Sequence, residues 1–254
     1  MRKKVSGIVL VISLVVMAIS GCQLAEYEIE TANAQKDFEK FSVKQQDEEP
    51  EGKADKYKRL REENHNLKAW LRIPESKYVN YPVMQTKKDP QYYLYRNFDK
   101  QYSASGSLFI DSNCDVATSA NILVHGHNMQ KGTMFGHLKK YLDNGYFDKH
   151  KTVCFDVIGK NGKYESREYE VFAVVMADLR EGNAYFDYTA IEDEETFEKY
   201  LEFIRENACV TTDYVPKWGD RLLTLSTCSY HVPRPYGRIA VIAVETGKME
   251  EQDE

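Results

Sequence analysis

The chain has 254 residues, 42% hydrophobic and 29% charged, with a formal net charge of −6 at pH 7. Its first 21 residues hold Arg2, Lys3 and Lys4 and no acid, so the remainder is more acidic than the whole. That balance argues against nucleic acid as a partner, because phosphate binding needs clustered Lys and Arg. It does not exclude a cationic amine substrate.

In chain order, a basic Met1-Arg2-Lys3-Lys4 precedes an apolar run from Val5 to Ile19, interrupted only by Ser6, Gly7 and Ser13. This pattern is a secretion signal or a short membrane anchor. It falls slightly short of the ~20 apolar residues that a spanning helix wants. Ile19-Ser20-Gly21-Cys22 also has the form of a lipobox, so residues 1–22 read as a signal anchor or a lipoprotein signal. Under either reading the basic end stays cytoplasmic and the rest lies outside the membrane. Residues 23–55 are polar and read as a stalk, with Lys44 to Asp55 the least structured stretch.

Residues 56–248 form the expected folded domain, roughly 190 residues and enough for a sizeable core. Lys56 to Leu71 carries Tyr57, Leu60, Leu67 and Leu71 at near-helical spacing and reads as an N-terminal helix, overlapping a strand expected at Trp70 to Ile73. Strands are expected at Tyr78 to Met84, Ser107 to Asp111, Asn121 to Val124, Thr152 to Ile158 and Tyr169 to Met176, with a helical turn at Pro90 to Leu94 and a helical stretch at Thr133 to Leu142. Asp193 to Asn207 is an amphipathic helix with Phe197, Tyr200, Leu201 and Ile204 on one face. Arg221 to Thr227 and Arg238 to Val244 close the set, and 249–254 is an acidic tail. Many apolar strands with few helices point to a mostly β fold, a closed barrel of about eight strands with helices outside.

The five cysteines, Cys22, Cys114, Cys154, Cys209 and Cys228, show no metal-binding spacing. Cys154 reads as a buried hydrophobe, and a disulfide between Cys114 and Cys209 stays open. Cys228 ends an apolar strand, Leu222 to Thr227, and Arg238 opens the next. Asn121-Ile122-Leu123-Val124 ends on His125-Gly126-His127-Asn128. A thiol, an imidazole and a guanidinium at strand ends supply a nucleophile, a proton carrier and a cation for a developing oxyanion. A planar guanidinium offers a donor fork that Lys cannot copy. His125 and His127 have a spacing open to metal, but no third ligand is evident and no metal site is assigned.

Thr224-Leu225-Ser226-Thr227-Cys228, Arg238 ten residues on, and Gly126-His127-Asn128 resemble the signature of the sortases, transpeptidases of Gram-positive cell surfaces. Trp70-Leu71-Arg72-Ile73-Pro74, Tyr81-Pro82-Val83-Met84-Gln85 and Gly106-Ser107-Leu108-Phe109-Ile110-Asp111 are similar to the family's framework in its usual order. The helix inserted before the cysteine strand makes the chain most similar to class B, over about residues 56 to 246. The resemblance implies Cys228 as nucleophile on the threonine carbonyl of a C-terminal sorting motif in secreted surface proteins. His127 would be general acid and then base, and Arg238 the oxyanion cation. An amine of the peptidoglycan cross-bridge or its precursor would release the acyl-enzyme, with no cofactor. Leu94, Tyr185 and Phe186 are candidate groove walls, and Ser226 and Thr227 candidate substrate contacts. His231 reads as a loop residue, and Arg234 competes with Arg238 from a Pro-flanked loop expected to shape one wall of the groove. Ser229 and Tyr230 stand where some class B members carry a carboxylate, so no acidic catalytic residue is assigned. Two other functions remain open: a thiol endopeptidase releasing to water, and an inactive tethered binding module on the same fold.

Overall fold

The computed structural model describes residues 2–42, 52–182, 185–189 and 191–249. Nine strands form one mixed sheet: β1 (Leu67–Arg72), β2 (Asn80–Met84), β3 (Leu108–Ile110), β4 (Asn121–His125), β5 (Thr152–Ile158), β6 (Tyr164–Asp178), β7 (Ala208–Thr211), β8 (Leu222–Cys228) and β9 (Gly237–Met249). Their order is β5-β1-β2-β3-β4-β8-β9-β6, and a β5–β6 pairing closes the ring. Eight strands therefore make the barrel, as the sequence led one to expect, and β7 hangs on β6 as a ninth. The β2–β3 and β4–β8 pairs are parallel. Closure removes the unpaired edges that an open sheet would expose. The 15-residue β6 pairs β5 along its first half and β7 along its second, with irregular register against β9 near Val171 and Ala173. Such bulges help a strand bend round a barrel.

The barrel is filled from runs that are apolar on both faces. Leu123, Val124, Leu223, Leu225, Val241 and Ile242 are fully buried, the pattern of strands covered on two sides. Among the described residues the barrel is accompanied by four α-helices: α1 (Arg2–Ser42), α2 (Lys53–Glu63), α3 (Asn144–Lys149) and α4 (Glu194–Asn207). Asp193 caps α4 by accepting from Thr196 N at 2.7 Å, and Phe197, Tyr200, Leu201 and Ile204 bury its apolar face. α2 packs Tyr57 and Leu60 into a second cluster with Leu67, Trp70, Met84 and Tyr93. The Tyr57 hydroxyl donates to Asp156 at 2.6 Å.

Several expectations need correction. The helix expected to reach Leu71 ends at Glu63, because Asn64 turns into extended backbone and donates its side-chain amide to Phe98 O at 2.6 Å. Leu67 and Leu71, which fit a helical face, instead belong to β1 between β2 and β5. Of Thr133 to Leu142 only Leu138–Leu142 is helical, as a 3-10 turn. Before it Met134 has φ 52° and bridges back to Asn128. The polar stretch after residue 22 is helical to Ser42 as part of α1. Its Lys44 to Glu51 portion, and residues 250–254 of the acidic tail, lie outside the described residues. Along α1 the apolar side chains from Leu10 to Ile19 are exposed. Among the described residues no helix is long and apolar enough to cross a membrane. Cys114 and Cys209 are both free: one is buried, the other exposed on β7. The Cys114 Sγ sits among the Asn121, Leu123 and Thr189 backbone, and burial pushes its thiol up to about 11.

Candidate active site

The site is built at one end of the β4–β8–β9 ladder. In the parallel β4–β8 pair His125 lies opposite Ser226, and Gly126 N continues the ladder by donating to Ser226 O at 3.1 Å. The Thr227 hydroxyl donates to Gly126 O at 2.6 Å, and Asn128 Nδ2 donates to Cys228 O at 2.7 Å. These bonds tie the His127 segment to the last two residues of β8. On the other side of β8, Cys228 lies directly opposite Arg238 in the antiparallel β8–β9 register. Opposite residues of such a pair project to the same face, with Cβ atoms ~5 Å apart.

Alternation along β8 puts Leu222, Thr224, Ser226 and Cys228 on one face. α4 and the 3-10 turn Tyr185–Tyr188 cover that face. Tyr200 bonds the Thr224 hydroxyl at 2.9 Å, Thr224 donates to Asn121 at 2.9 Å, and Tyr185 bonds the Ser226 hydroxyl at 2.7 Å. Cys228 is the first residue of β8 to escape the cover, half-buried where the preceding six are buried.

Two glycines allow close approach here. A Cβ on Gly126 would meet Leu108 at 2.4 Å and Phe135 at 2.7 Å. One on Gly237 would meet the Ser229 carbonyl oxygen at 2.3 Å. Only a bare backbone lets β4 pass over Phe135 between the two histidines, or lets β9 begin against the residue after Cys228.

His127 Nε2 lies 2.8 Å from Leu94 O. A carbonyl only accepts, so this nitrogen carries a proton and donates it. Burial lowers the imidazole's proton affinity below the ordinary 6.5, and the Leu94 bond offsets part of that. Its ring also tilts against Tyr95, and Phe135 N donates to His127 O at 3.0 Å. Arg238 Nη1 donates to Pro235 O at 2.6 Å and Gly237 O at 2.9 Å, which fixes the guanidinium.

One cleft of ≈ 350 Å³ takes in Cys228, His127, Arg238, Ser226, Thr227, Leu94 and Phe186, so the structure brings together seven of the eight sequence candidates. The eighth, Tyr185, does not reach it. It is fully buried beneath Ser226, and burial drives its hydroxyl far above the ordinary tyrosine range. His231 is exposed and bonded to Ser229. Arg234 lies exposed over the Tyr230 ring at 4.2 Å. Neither lines the cleft, and of the Pro233–Gly237 loop only backbone carbonyls reach Arg238. Reasoning from sequence missed Asp111 and the use of His125. Their side chains pair in the same cleft, Nε2 to Oδ2 at 3.1 Å, with the His125 ring 5.1 Å from Phe109 and 5.7 Å from Phe186. The signal was present in Phe109-Ile110-Asp111 and His125, but the pairing runs between strands and only register reveals it.

Comparison with known proteins fits this barrel and cleft. Residues 71–246 match the sortase domain model. A sortase B of Listeria monocytogenes is 32% identical over 188 residues, covering 74% of this chain and 72% of the relative. The crystal structure of Clostridium perfringens sortase B superposes with a TM-score of 0.65 at 31% identity, covering 75% of this chain and 99% of that one. The Staphylococcus aureus sortase B–substrate complex gives 0.68 at 25% identity, covering 87% and 97%. The chain belongs to the sortase family and, by these relatives, to its class B. It is a cysteine transpeptidase of the sortase type.

Proposed function

We propose that this class B sortase cuts a C-terminal sorting motif of secreted proteins at a threonine carbonyl and transfers the new acyl end to an amine of the cell-wall peptidoglycan. The observation that carries the reading is the register: Cys228 directly opposite Arg238, with the neighbours of His127, Gly126 and Asn128, bonded to the same strand end and all three side chains lining one cleft.

The Cys228 thiol gives its proton to His127, and its Sγ attacks the threonine carbonyl. Arg238, held by two loop carbonyls, meets the oxyanion with donors already oriented, which spares reorganisation at the moment of reaction. The tetrahedral intermediate collapses as His127 protonates the departing amine, leaving a thioester on Cys228. An incoming amine gives its proton to His127 and attacks the thioester, and the thiolate leaves. Each step conserves the acyl bond energy, which hydrolysis would discard. Burial of His127 suits the exchange, because a buried imidazole gives up its proton more readily. The substrate lies along Leu94, Phe186, Ser226 and Thr227, and Tyr185 supports Ser226 from below. That the Staphylococcus aureus relative was solved as a substrate complex supports a peptide-binding groove in this fold.

The domain works on the outer face of the cell membrane. The basic residues Arg2 to Lys4 and the exposed apolar run from Leu10 to Ile19 of α1 support an N-terminal anchor there.

The test is mass spectrometry of a panel of threonine-containing sorting peptides incubated with the enzyme, with and without triglycine. The account expects cleavage after threonine and a triglycine-ligated product. Release of free acid alone, with triglycine leaving the product unchanged, would instead mark a thiol endopeptidase.

A further inference from the structure

We propose that a polar pocket beside the cleft, walled by α1 and the hairpin 92–107, binds an N-acetylated hexosamine of the peptidoglycan acceptor. The inference rests on the function proposed above but concerns a different pocket from the one that holds Cys228.

The pocket has a volume of ≈ 290 Å³. Asn33 and Lys36 of α1 line one side, and Asn97, Gln101, Tyr102 and Ser103 of the hairpin line the other. Small-ligand pockets begin at about 300 Å³, so there is room for one sugar ring rather than a chain. Asn33 and Lys36 share a face of α1, being three residues apart. The same helix meets the barrel through Glu28, whose carboxylate lies 3.4 Å from Lys131 Nζ. Within the hairpin, Ser103 N donates to Tyr95 O at 3.1 Å and Asn97 N donates to Gln101 O at 3.0 Å, and Arg96 bridges to Tyr102.

The lining fits a neutral, hydroxyl-rich ligand. It holds one ammonium and no carboxylate, too little charge for a phosphate group, which is taken by clustered cations. Its apolar surface is confined to Ala104 and the Tyr102 ring, too little for a hydrophobic side chain. What remains is amide and hydroxyl. Gln101 spends only its backbone N–H, on Asn97 Oδ1 at 3.0 Å, which leaves its side-chain amide for a ligand. An amide presents donors and an acceptor together, which suits the hydroxyls and the acetamido group of such a sugar. Tyr102 is 72% exposed, and its ring offers the C–H face of a pyranose an apolar surface to cover.

The pocket adjoins the reacting groups. Tyr95 stands between the two: its ring lies 5.5 Å from His127, its carbonyl holds Ser103, and Leu94 before it lines the cleft. From Ile19 to Asn33 the helix rises ~21 Å, which sets the pocket on the outer side of the proposed anchor, where the glycan lies. A sugar bound here directs the peptide it carries past Tyr95 toward His127. Two to three extended residues span ~7–11 Å, enough to bring a terminal amine to the thioester.

The test uses the full chain in detergent micelles with a saturating sorting peptide and three acceptors. These are triglycine, a stem peptide ending in the same amine, and a soluble muramyl peptide in which that stem is carried on an N-acetylated hexosamine. For the wild type the apparent KM of the muramyl peptide is expected about tenfold below that of the bare stem at equal kcat, since several hydrogen bonds each contribute a few-fold. Gln101→Ala with Tyr102→Ala brings the two KM values within about twofold and leaves triglycine kinetics unchanged. Both side chains are exposed, and the alanine at 101 keeps its backbone bond to Asn97. Equal KM values in the wild type, an advantage of the sugar that persists in the double variant, or an equal loss with triglycine overturns the inference and leaves the transpeptidase reading standing. Failure of the wild type to transfer to any of the three amines overturns both.

Discussion

The same two strands, β4 and β8, have a sealed end and an open end, and the contrast explains how the site works. At the sealed end Asn121, Thr224 and Tyr200 satisfy one another's polar groups in full burial. At the open end Ser226, Thr227 and Cys228 line the cleft, Cys228 alone leaving full burial, and their partners come from Tyr185, Gly126 and Asn128. The sealed end fixes register. A one-residue slip would turn Thr224 and Ser226 to the other face of β8, away from Tyr200 and Tyr185, and Cys228 away from Arg238. Rigidity at one end thus sets geometry at the other, which fits the general rule that reactive groups perform best on well-supported elements.

Predictions that probe this division run from the chemistry down to its support. Cys228→Ala removes the nucleophile and lowers transpeptidation by about 10⁴-fold or more, read as product formation with triglycine. Arg238→Lys keeps the charge but loses the fork, and kcat falls about 10²- to 10³-fold with little change in melting temperature. Gly237→Ala drives a methyl into the Ser229 carbonyl, a contact with backbone that cannot swing aside. It costs roughly 1–3 kcal/mol in chemical denaturation and misaligns Arg238, so stability and activity fall together.

The finest test pairs two tyrosines. Tyr200→Phe and Tyr185→Phe each remove one buried hydroxyl partner of β8, at about 0.5–1.5 kcal/mol apiece. Tyr200→Phe, at the sealed end, leaves kcat/KM within about twofold. Tyr185→Phe, under Ser226, lowers it several-fold for the same loss of stability. Equal effects on activity would erase the distinction between the two ends.

Acid should weaken the fold through buried histidines. Burial lowers the proton affinity of His127 and of His137 below 6.5. Below that pH the unfolded chain therefore binds more protons than the folded one, so stability is full above about 6.5 and falls as pH drops toward the folded-state values. The urea midpoint at pH 5 is expected below that at pH 7.5, with a smaller difference in His127→Asn.

The apolar runs of β4, β5, β8 and β9 were legible in sequence because each is buried on both faces and reads as one continuous hydrophobic segment. The catalytic trio was legible for a related reason: each member follows or opens such a run, so strand ends located the residues before any geometry was known. β1 was obscured because Leu67 and Leu71 satisfy helical and strand periods alike. β7 was missed because only half of its short Ala208–Thr211 run is even partly buried. Tyr185 was misassigned since its neighbour Phe186 does line the cleft, and adjacent residues of a 3-10 turn point in different directions. Asp111 and His125 could not be joined without register, being 14 residues apart on antiparallel strands.

The central claim is that Cys228 carries the acyl group between donor and acceptor. Intact-protein mass spectrometry on enzyme mixed with a cleavable sorting peptide, followed by peptide mapping, tests it most directly. The account predicts an adduct equal to the peptide up to its threonine, located on Cys228, absent from Cys228→Ala and discharged within the assay by triglycine. An adduct on another residue, or turnover by Cys228→Ala, would contradict it.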